Sequence, residues 1–472
     1  MSTRKMSKRK PLPLIELTAI TPLDGRYRER IVELAPYVSE YGLIRTRFEI
    51  EAKYLVALSD VGLVRRLTAK ERKTLDSFGA SLKLKDAEEV KRIEAETRHD
   101  VKAMERAFRG MVEGTSLADL TEMIHLGLTS EDINNLAYRL MLKRASEEVC
   151  IPVLDSLVDE LIDRAKKYKA DPMLARTHGQ AAVPTTVGKE IVVFAARLNG
   201  QVRELEGQQL TGKLTGAVGN FNALNLAYPE VDWMKFSSKF VESFGLVPNL
   251  TTTQINPYED MIKYFQNYQR ICGIIIDFDQ DMWRYISDDW FIQEAKKGEV
   301  GSSTMPQKVN PIDFENSEGN LTMANGVFET LSRKLAISRL QRDLSDSTTV
   351  RNIATTLGFF LVGTKSVLSG LSRVRPNLEK ISEGLNHDWS ILTEGVQTQL
   401  RIAGTGDPYS LIASLTRGGH IDKERWQQWV DGLPIPDAQK ASLKKLTPQT
   451  YTGLAVELTN RAIVEILASR KK

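Results

Sequence analysis

The sequence predicts an all-α protein built from long helices that each bury one face. Apolar residues recur at three- and four-residue spacing over long stretches, which is the period of an amphipathic helix. Alternating patterns typical of strands are scarce, and contents of 42% hydrophobic and 26% charged residues are ordinary for a globular chain. A length of 472 residues allows a large core divided among about two to four compact regions.

The helical spacing is clearest in three stretches of the chain. The apolar positions are Ile191, Phe194, Leu198, Val202 and Leu205 in the first stretch, Ile275, Phe278, Met282, Ile286 and Trp290 in the second, and Ile353, Leu357, Leu361, Leu368 and Leu371 in the third. A helix over residues 350–374 would be about 37 Å long, which suits an extended bundle.

Clusters of glycine and proline predict three domains with boundaries near residues 118 and 374. The first is an N-terminal helical domain over 1–118, which begins with a disordered basic tail at 1–11. The second is a central long-helix bundle over 119–374, which carries a glycine- and serine-rich loop at 298–311. The third is a C-terminal helical domain over 375–472.

Several classes of function are disfavoured by the sequence. A formal charge of +3 is too small for a nucleic-acid binder, and no strand, glycine-rich turn and helix follow one another as a dinucleotide or P-loop site requires. Cys150 and Cys272 lack the spacing of a zinc site or a disulfide framework. The most apolar stretch, 357–371, is short for a membrane span and contains Lys365. We therefore expect a soluble, cytoplasmic protein.

The loop at 301–311 reads Gly-Ser-Ser-Thr-Met-Pro-Gln-Lys-Val-Asn-Pro. Such a composition usually indicates a flexible linker. Here, however, small residues leave backbone N–H groups approachable and two prolines restrict the loop, while Lys308 and Asn310 add a cation and an amide donor. These are the components of a site that stabilises an oxyanion.

Residues 129–132, Thr-Ser-Glu-Asp, precede the apolar positions Ile133, Leu136 and Leu140. The pattern predicts a helix N-cap followed by an acidic first turn. Because a helix N-terminus also offers free N–H donors to an anion, this segment is in addition a candidate binding site for a carboxylate.

The loop motif closely resembles the mobile catalytic loop of the superfamily that contains fumarase, aspartase, argininosuccinate lyase and adenylosuccinate lyase. Further segments resemble the adenylosuccinate lyase family, and they lie at 24–27, 97–100, 176–180, 253–255 and 342–351. The resemblance extends from about residue 20 to residue 451. It implies a three-domain fold whose long central helices assemble into a tetramer, with sites shared between subunits and no metal or organic cofactor.

The resemblance also implies a reaction, in which a C–N bond β to a carboxylate breaks and fumarate is released. The implied substrates are adenylosuccinate, which gives AMP, and the succinocarboxamide ribotide SAICAR, which gives AICAR. Ser302 corresponds to the general base, His178 to the general acid, and Lys308 with Asn310 to the residues that bind the carboxylate. Glu315 matches the acid that orients the histidine, and it fits a solvated helix residue equally well.

The same resemblance assigns substrate binding to a larger set of positions. They are Arg26, Tyr27, Arg98, His99, Asp100, His125, Thr129, Ser130, Thr177, Gln254, Ser303, Met305, Arg342, Ser347 and Arg351. Arg26, Arg342 and Arg351 are the candidate phosphate ligands, since the paired donors of arginine suit that group.

Three alternatives remain open at this point. Gln307 stands where this family usually has histidine and is more like argininosuccinate lyase. A helical structural protein related to the superfamily, as some lens crystallins are, would keep the fold without chemistry, although Ser302, His178, Lys308 and Asn310 are all retained. A protein that only binds the ligand would release it without forming fumarate.

Overall fold

The computed structural model describes residues 12–295, 304–305, 307–416 and 419–471. Most of this part of the chain is helical. The predicted basic tail at 1–11 and both loop serines, Ser302 and Ser303, lie outside the described residues.

The helices vary from single turns to eight turns in length. The α-helices of the described residues are α1 (Arg28–Ile31), α2 (Ala35–Val38), α3 (Glu40–Asp60), α4 (Ala69–Asp76), α5 (Phe78–Ser81), α6 (Leu84–Thr97), α7 (Asp100–Val112), α8 (Ser130–Ala145), α9 (Ile151–Lys167), α10 (Val187–Glu206), α11 (Asn222–Ala227), α12 (Trp233–Glu242), α13 (Glu259–Ser287), α14 (Ile312–Leu335), α15 (Ser345–Val350), α16 (Ile353–Leu371), α17 (Leu378–Asn386), α18 (Thr393–Ile402), α19 (Pro408–Thr416), α20 (Lys423–Asp431), α21 (Asp437–Lys445) and α22 (Ala455–Ser469). Short 3₁₀ helices occupy Glu16–Thr18, Val32–Leu34, Ala118–Met123 and Trp389–Leu392, and a π-helical turn at Ser146–Cys150 joins α8 to α9.

The structure also contains short strands, so the fold is mostly helical and not purely α-helical as predicted. Strands β1 (Pro172–Thr177) and β2 (Gln180–Thr186) form an antiparallel hairpin, β3 (Thr211–Gly212) pairs in parallel with β4 (Val247–Pro248), and β5 (Phe291–Gln293) pairs antiparallel with β6 (Val374–Pro376). The hairpin strands escape a search for alternation because each is buried at one end and exposed at the other.

The described chain forms two compact units, each assembled from three stretches of sequence. Unit 1 comprises the described residues of Met1–Val153, Glu204–Cys272 and Asn320–Gly363, and unit 2 those of Leu154–Arg203, Gly273–Gly319 and Thr364–Lys472. The predicted three-domain boundaries near 118 and 374 remain a prediction.

Each unit has an aromatic cluster in its own core. In unit 1 the rings of Phe48, Phe78 and Phe108 have centroids 4.7 to 5.9 Å apart. In unit 2 the Phe278 ring lies edge-on to Phe194, 5.2 Å away, and to Phe314, 6.4 Å away. Large aromatic side chains thus supply much of the buried apolar area on which each unit depends.

The three predicted helical stretches are confirmed, with local differences at two of them. The first stretch lies on α10 and the second on α13, although α13 ends at Ser287 and Trp290 lies beyond it. The third stretch lies on α16, which is about 28 Å long at 1.5 Å per residue. The helix predicted over 350–374 is shorter because α15 and α16 are separated at Arg351 and Asn352, and because β6 follows Leu371 closely.

One stretch of the described residues, Ser345–Leu371, is long and apolar enough to cross a membrane. In its most apolar window, 72% of the residues are buried inside the protein. The stretch is therefore accounted for by the core of the folded chain.

Candidate active site

The predicted site residues divide between the two units. Unit 1 contains most of the predicted binding residues, namely Arg26, Tyr27, Arg98, His99, Asp100, His125, Thr129, Ser130, Gln254, Arg342, Ser347 and Arg351. Unit 2 contains the described catalytic candidates with two binding candidates, namely His178, Lys308, Asn310, Glu315, Thr177 and Met305.

The N-terminus of α8 has the predicted cap. Thr129 is the N-cap residue in extended conformation, and its backbone N–H donates to Oδ2 of Asp132 at 2.9 Å. The Asp132 and Glu131 side chains of this acidic first turn are buried. Oδ1 of Asp132 accepts from the backbone N–H groups of Thr215 and Gly216, at 3.0 and 3.2 Å. This carboxylate therefore fixes the loop after β3 against the start of α8.

Arg342 is held by three side chains in unit 1. Its Nη1 donates to Oε1 of Gln254 at 3.1 Å, and its Nη2 donates to Oγ of Ser347 at 3.1 Å. The same Nη2 lies 3.1 Å from Oε2 of Glu131. Two predicted binding residues, Gln254 and Ser347, are thus brought to Arg342, and the first turn of α8 joins them.

A second ionic cluster connects Arg351 with α3 and α7. Nη2 of Arg351 lies 2.9 Å from Oδ2 of Asp100, and Nη1 lies 3.2 Å from Oε2 of Glu40. Buried Arg47 donates to the same Asp100 oxygen at 2.7 Å and to Oδ1 of Asn134 on α8 at 2.9 Å. Burial alone would raise the pKa of Asp100, but the charges of Arg47 and Arg351 lower it to about 2.

His125 is paired with a buried carboxylate. Its Nδ1 lies 2.5 Å from Oε1 of Glu51, whose side chain is fully buried. Burial opposes protonation of the ring, but the Glu51 charge outweighs burial and raises the pKa of His125. Oε2 of Glu51 has no hydrogen-bond partner among the described residues.

Several predicted site residues occupy strained backbone positions. Arg98, His125 and His178 have φ values of 52°, 63° and 53°, in the left-handed region that non-glycine residues rarely adopt. Arg98 ends α6, and the adjacent His99 caps α7 by accepting at Nδ1 from the Lys102 N–H at 3.1 Å. Strain of this kind is found at functional sites, and the roles of these three residues remain predictions.

His178 lies at the tip of the β1–β2 hairpin. Thr177 pairs with Gln180, so that His178 and Gly179 are the two central turn residues, and both have positive φ, as a type I′ turn requires. The His178 side chain is exposed. Behind it, the Arg176 guanidinium lies 5.1 Å from the Trp290 ring centroid. The hairpin thus presents an imidazole on a short, defined turn.

The described part of the catalytic loop leads into α14. Met305 and Lys308 are exposed, and the Lys308 N–H donates to the Met305 carbonyl at 3.1 Å. Asn310 is half-buried just before the helix. Glu315, in the first turn of α14, accepts from Nε1 of Trp283 at 3.2 Å. No hydrogen bond between Glu315 and His178 occurs among the described residues, so the orienting role stays a prediction.

Arg26 is exposed and Tyr27 half-buried, just before α1. The neighbouring Arg28 bonds Asp24 at 3.1 Å, and both line a cavity of about 610 Å³ in unit 1. Arg351 and Glu40 line the same cavity. The predicted Arg26-Tyr27 segment is therefore next to a cavity lined by Arg351, which is predicted to bind the substrate phosphate.

Sequence reasoning missed the buried charges beneath these residues. Lys213 and Asp132 form a fully buried pair with 3.1 Å between Nζ and Oδ1, and buried Arg139 binds both oxygens of Asp260 at 2.8 and 2.9 Å. The available signal was a row of polar residues on one helical stretch, Glu131 to Arg139, which would be costly to bury unless each side chain were paired. Among the described residues, no group of three or more His, Cys, Asp or Glu side chains is arranged to hold a metal ion.

Comparisons with known proteins agree with the sequence prediction. Residues 27–326 match the lyase family, and residues 338–452 match the family described as adenylosuccinate lyase C-terminal. The chain is 44% identical over 454 residues to an adenylosuccinate lyase of Haemophilus influenzae, with 95% of this chain and 100% of that protein covered. It is also 44% identical over 453 residues to an adenylosuccinate lyase of Escherichia coli, with 95% and 99% covered.

A solved structure supports the fold independently. The 3-carboxy-cis,cis-muconate lactonizing enzyme of Pseudomonas putida superposes with a TM-score of 0.74 at 18% identity, covering 93% of this chain and 98% of that one. At this identity the likeness concerns the fold alone. The near full-length sequence identity with curated relatives goes further, and on that basis the chain belongs to the adenylosuccinate lyase family.

Proposed function

We propose that the chain cleaves adenylosuccinate to AMP and fumarate, and SAICAR to AICAR and fumarate, in purine nucleotide biosynthesis. The observation that carries the proposal is the 44% identity with curated adenylosuccinate lyases over 95% of the chain. The exposed histidine on a defined turn and the arginine clusters of unit 1 are the chemical groups that such a reaction requires.

The elimination needs a base on one side of the substrate and an acid on the other. His178 protonates the departing nitrogen, and the hairpin holds its ring on a turn whose backbone geometry is fixed. Ser302, outside the described residues, removes the proton from the carbon next to the carboxylate. A serine acts as a base only where positive charge stabilises its alkoxide, and Lys308 is close to it in sequence.

The carbanion intermediate carries its charge on the substrate carboxylate. Lys308 and Asn310 bind that carboxylate, Ser130 contributes an N–H donor from the start of α8, and Thr129 contributes its hydroxyl. Interactions that strengthen as this charge develops accelerate the chemical step, whereas equal binding of substrate and transition state would not.

The substrate phosphate is bound by Arg342 with Ser347, and Arg26 and Arg351 supply further positive charge. The geometry supports Arg342 most strongly, since its Nε is buried without a hydrogen-bond partner among the described residues. It also lines a groove of about 390 Å³ together with Gln254. A half-buried guanidinium with a donor to spare is suited to a phosphate oxygen.

The active form is a cytoplasmic homotetramer that acts without a metal or organic cofactor, and it binds neither nucleic acid nor membrane. Each complete site draws its His178 and Ser302 segments from different subunits. Closed symmetry makes such sharing possible, because every subunit then gives and receives the same segments.

A coupled assay tests the proposal directly. Purified protein is incubated separately with adenylosuccinate, SAICAR and argininosuccinate while fumarate is measured. We expect fumarate from the first two substrates and none from the third. Fumarate from argininosuccinate alone would show that Gln307 marks the sibling activity, and binding without fumarate would show a non-catalytic protein.

The assigned base is tested in the same assay. Ser302→Ala should abolish fumarate release and leave substrate affinity nearly unchanged, because the serine acts chiefly in the transition state. Equal losses of affinity and of rate would assign Ser302 to binding instead.

A further inference from the structure

Beneath the start of α8, unit 1 contains a buried group of charges that the catalytic assignment does not use. Its cations are Arg139, Lys213 and Arg342, and its carboxylates are Glu131, Asp132, Asp260 and Asp346. Glu131, Asp132 and Asp346 are less than a tenth exposed to solvent, and so is the side chain of Asp260. With every group ionised, the cluster has one negative charge in excess.

The pairing within the cluster identifies where the excess lies. Lys213 is paired with Asp132, and Arg139 is paired through two bonds with Asp260. Among the described residues, Arg342 is then linked to the two remaining carboxylates. It contacts Glu131 directly, and it reaches Asp346 through Ser347, whose N–H donates to Oδ1 of Asp346 at 2.6 Å.

Glu131 is a deeply buried carboxylate of this group. Its side chain is 3% exposed. Burial raises the pKa of Glu131. The charge of Arg342 lowers this pKa, that of Asp346 raises it, and those of Lys213 and Arg139 lower it, so that the net result is a pKa raised to about 7. Oδ2 of Asp346 also accepts from the Tyr258 hydroxyl at 3.2 Å.

The two tyrosines that interact electrostatically with Glu131 do not supply charge. Burial raises the pKa of Tyr258 well above its ordinary value, and burial also raises the pKa of Tyr138 on α8. Both hydroxyls therefore stay neutral near pH 7, and the carboxylates and cations named above determine the protonation of Glu131.

We infer that Glu131 takes up a proton from solvent when a phosphate group binds to Arg342. This inference rests on the assignment of Arg342 to the substrate phosphate. Without ligand, Glu131 pairs with the guanidinium and positions it. A phosphate dianion adds negative charge beside the same guanidinium, and the carboxylate becomes more costly to keep ionised. The proton goes to a carboxyl oxygen of Glu131, and the full charge of Arg342 becomes available to the phosphate.

The linkage has a definite sign. Well below pH 7 Glu131 is already protonated, so binding takes up no proton there. Above pH 7 binding must draw a proton from solvent, and affinity falls as pH rises by up to about tenfold per pH unit for one linked proton. The second ionisation of a phosphate monoester, with a pKa of about 6, is nearly complete in this range and contributes little.

Calorimetric titration with AMP tests the inference. Binding to the intact protein is measured at pH 7.5 in two buffers of different ionisation enthalpy, and the difference in heat gives the protons taken up per site. We expect a clear fraction of one proton for the unchanged protein and none for Glu131→Gln, which keeps an acceptor for Arg342 but cannot titrate. Adenosine, which lacks the phosphate, should cause no uptake by either protein.

Two control variants make the result specific. Glu131→Asp retains a titrating carboxyl and should restore proton uptake, whereas a merely structural role would give no such rescue. Glu122→Gln removes a carboxylate that is 81% exposed in the same unit and should leave the uptake unchanged. Equal uptake by the unchanged protein and Glu131→Gln would overturn the inference.

Failure of this inference can be told apart from failure of the proposed function. If Glu131→Gln does not fold, as far-ultraviolet circular dichroism would reveal, the affinity of the unchanged protein for AMP at pH 7.0 to 8.5 decides the question. Affinity that does not vary over this range, with fumarate release intact, would refute the proton linkage alone. Proton uptake with AMP in a protein that releases no fumarate would support the linkage and refute the proposed activity.

Discussion

At the scale of single residues, the contacts that fix the Arg342 side chain use different guanidinium nitrogens from the one left for a ligand. Gln254, Ser347 and Glu131 occupy donors at the end of the guanidinium, while Nε has no partner among the described residues. A side chain fixed in this way loses little conformational freedom when its ligand arrives, and this preorganisation favours affinity.

Removal of this side chain should act on substrate binding. We expect Arg342→Ala to raise KM for adenylosuccinate by about 10- to 100-fold, since a hydrogen bond to a charged group contributes about 1.5 to 3 kcal/mol. Steady-state fumarate assays measure the effect. As a control, Arg333→Ala removes an arginine that is 80% exposed in the same unit and should leave KM unchanged. An unchanged KM in Arg342→Ala would place the phosphate elsewhere.

A second residue-scale prediction concerns Asp279 on α13. Its side chain is buried, and neither carboxyl oxygen has a hydrogen-bond partner among the described residues. Burial raises the pKa of Asp279 well above its ordinary value. The folded protein therefore retains a proton that the unfolded chain releases above about pH 4.

Stability should consequently fall as pH rises from about 4, by at most about 1.4 kcal/mol per pH unit from this group. Asp279→Asn removes the titrating group and should flatten this dependence, so that the variant gains stability over the unchanged protein between pH 5 and pH 8. Urea midpoints at both pH values measure the difference. Asp277→Asn, at a half-exposed position of the same helix, should behave like the unchanged protein. The same slope in Asp279→Asn would show that Asp279 does not hold the proton.

At the scale of elements, the β1–β2 hairpin fixes the direction of His178. Gly179 has a φ of +74°, and a Cβ added there would contact nothing within 4 Å. Alanine at this position would therefore act through backbone strain alone, at a cost of about 1 kcal/mol or more.

We expect Gly179→Ala to lower kcat about tenfold or more, because a small displacement of a catalytic group is costly to rate, while thermal stability changes little. Gly200→Ala is the matched control, since Gly200 lies on α10 of the same unit and its Cβ would also meet nothing within 4 Å. It should leave kcat unchanged and stabilise its helix slightly. Equal kcat values in both variants would show that the turn does not position the histidine.

The elements also show how far sequence reasoning reaches. The cap at Thr129 and the helices α10, α13 and α16 could be predicted because capping and apolar spacing are local properties. The hairpin could not be predicted, because each of its strands is buried at one end and exposed at the other and therefore shows no alternation of apolar and polar residues. Lys213 pairs with Asp132 and Glu131 with Arg342, which are far apart in sequence, so that only the folded chain shows the pairing.

At the scale of the whole molecule, a single chain exposes large apolar side chains that assembly would cover. Leu14 is 98% exposed, Leu17 92% and Ile20 100%, all within one short segment of unit 1. Grouped exposure of this kind is typical of a surface that contacts another protein. It agrees with the proposed tetramer.

The proposed sharing of sites predicts complementation between inactive variants. His178→Ala and Ser302→Ala proteins are dissociated, mixed equally and reassociated at random. About a quarter of the sites should then combine an intact histidine with an intact serine, one half times one half, if the two come from different subunits. Fumarate release near that fraction of the unchanged protein would support sharing. A mixture as inactive as its parents, despite proven subunit exchange, would show that one chain supplies both residues.

The three-stretch composition of each unit also has a consequence during translation. Unit 1 needs residues as late as Gly363, and unit 2 needs residues up to the end of the chain although it begins at Leu154. A nascent chain therefore cannot complete unit 1 until residues up to Gly363 have been synthesised. Apolar faces that pack against later stretches of the chain stay unpaired during this interval, when aggregation competes with folding. Slow synthesis at low temperature, or a chaperone that holds nascent chains, should accordingly increase the yield of soluble enzyme.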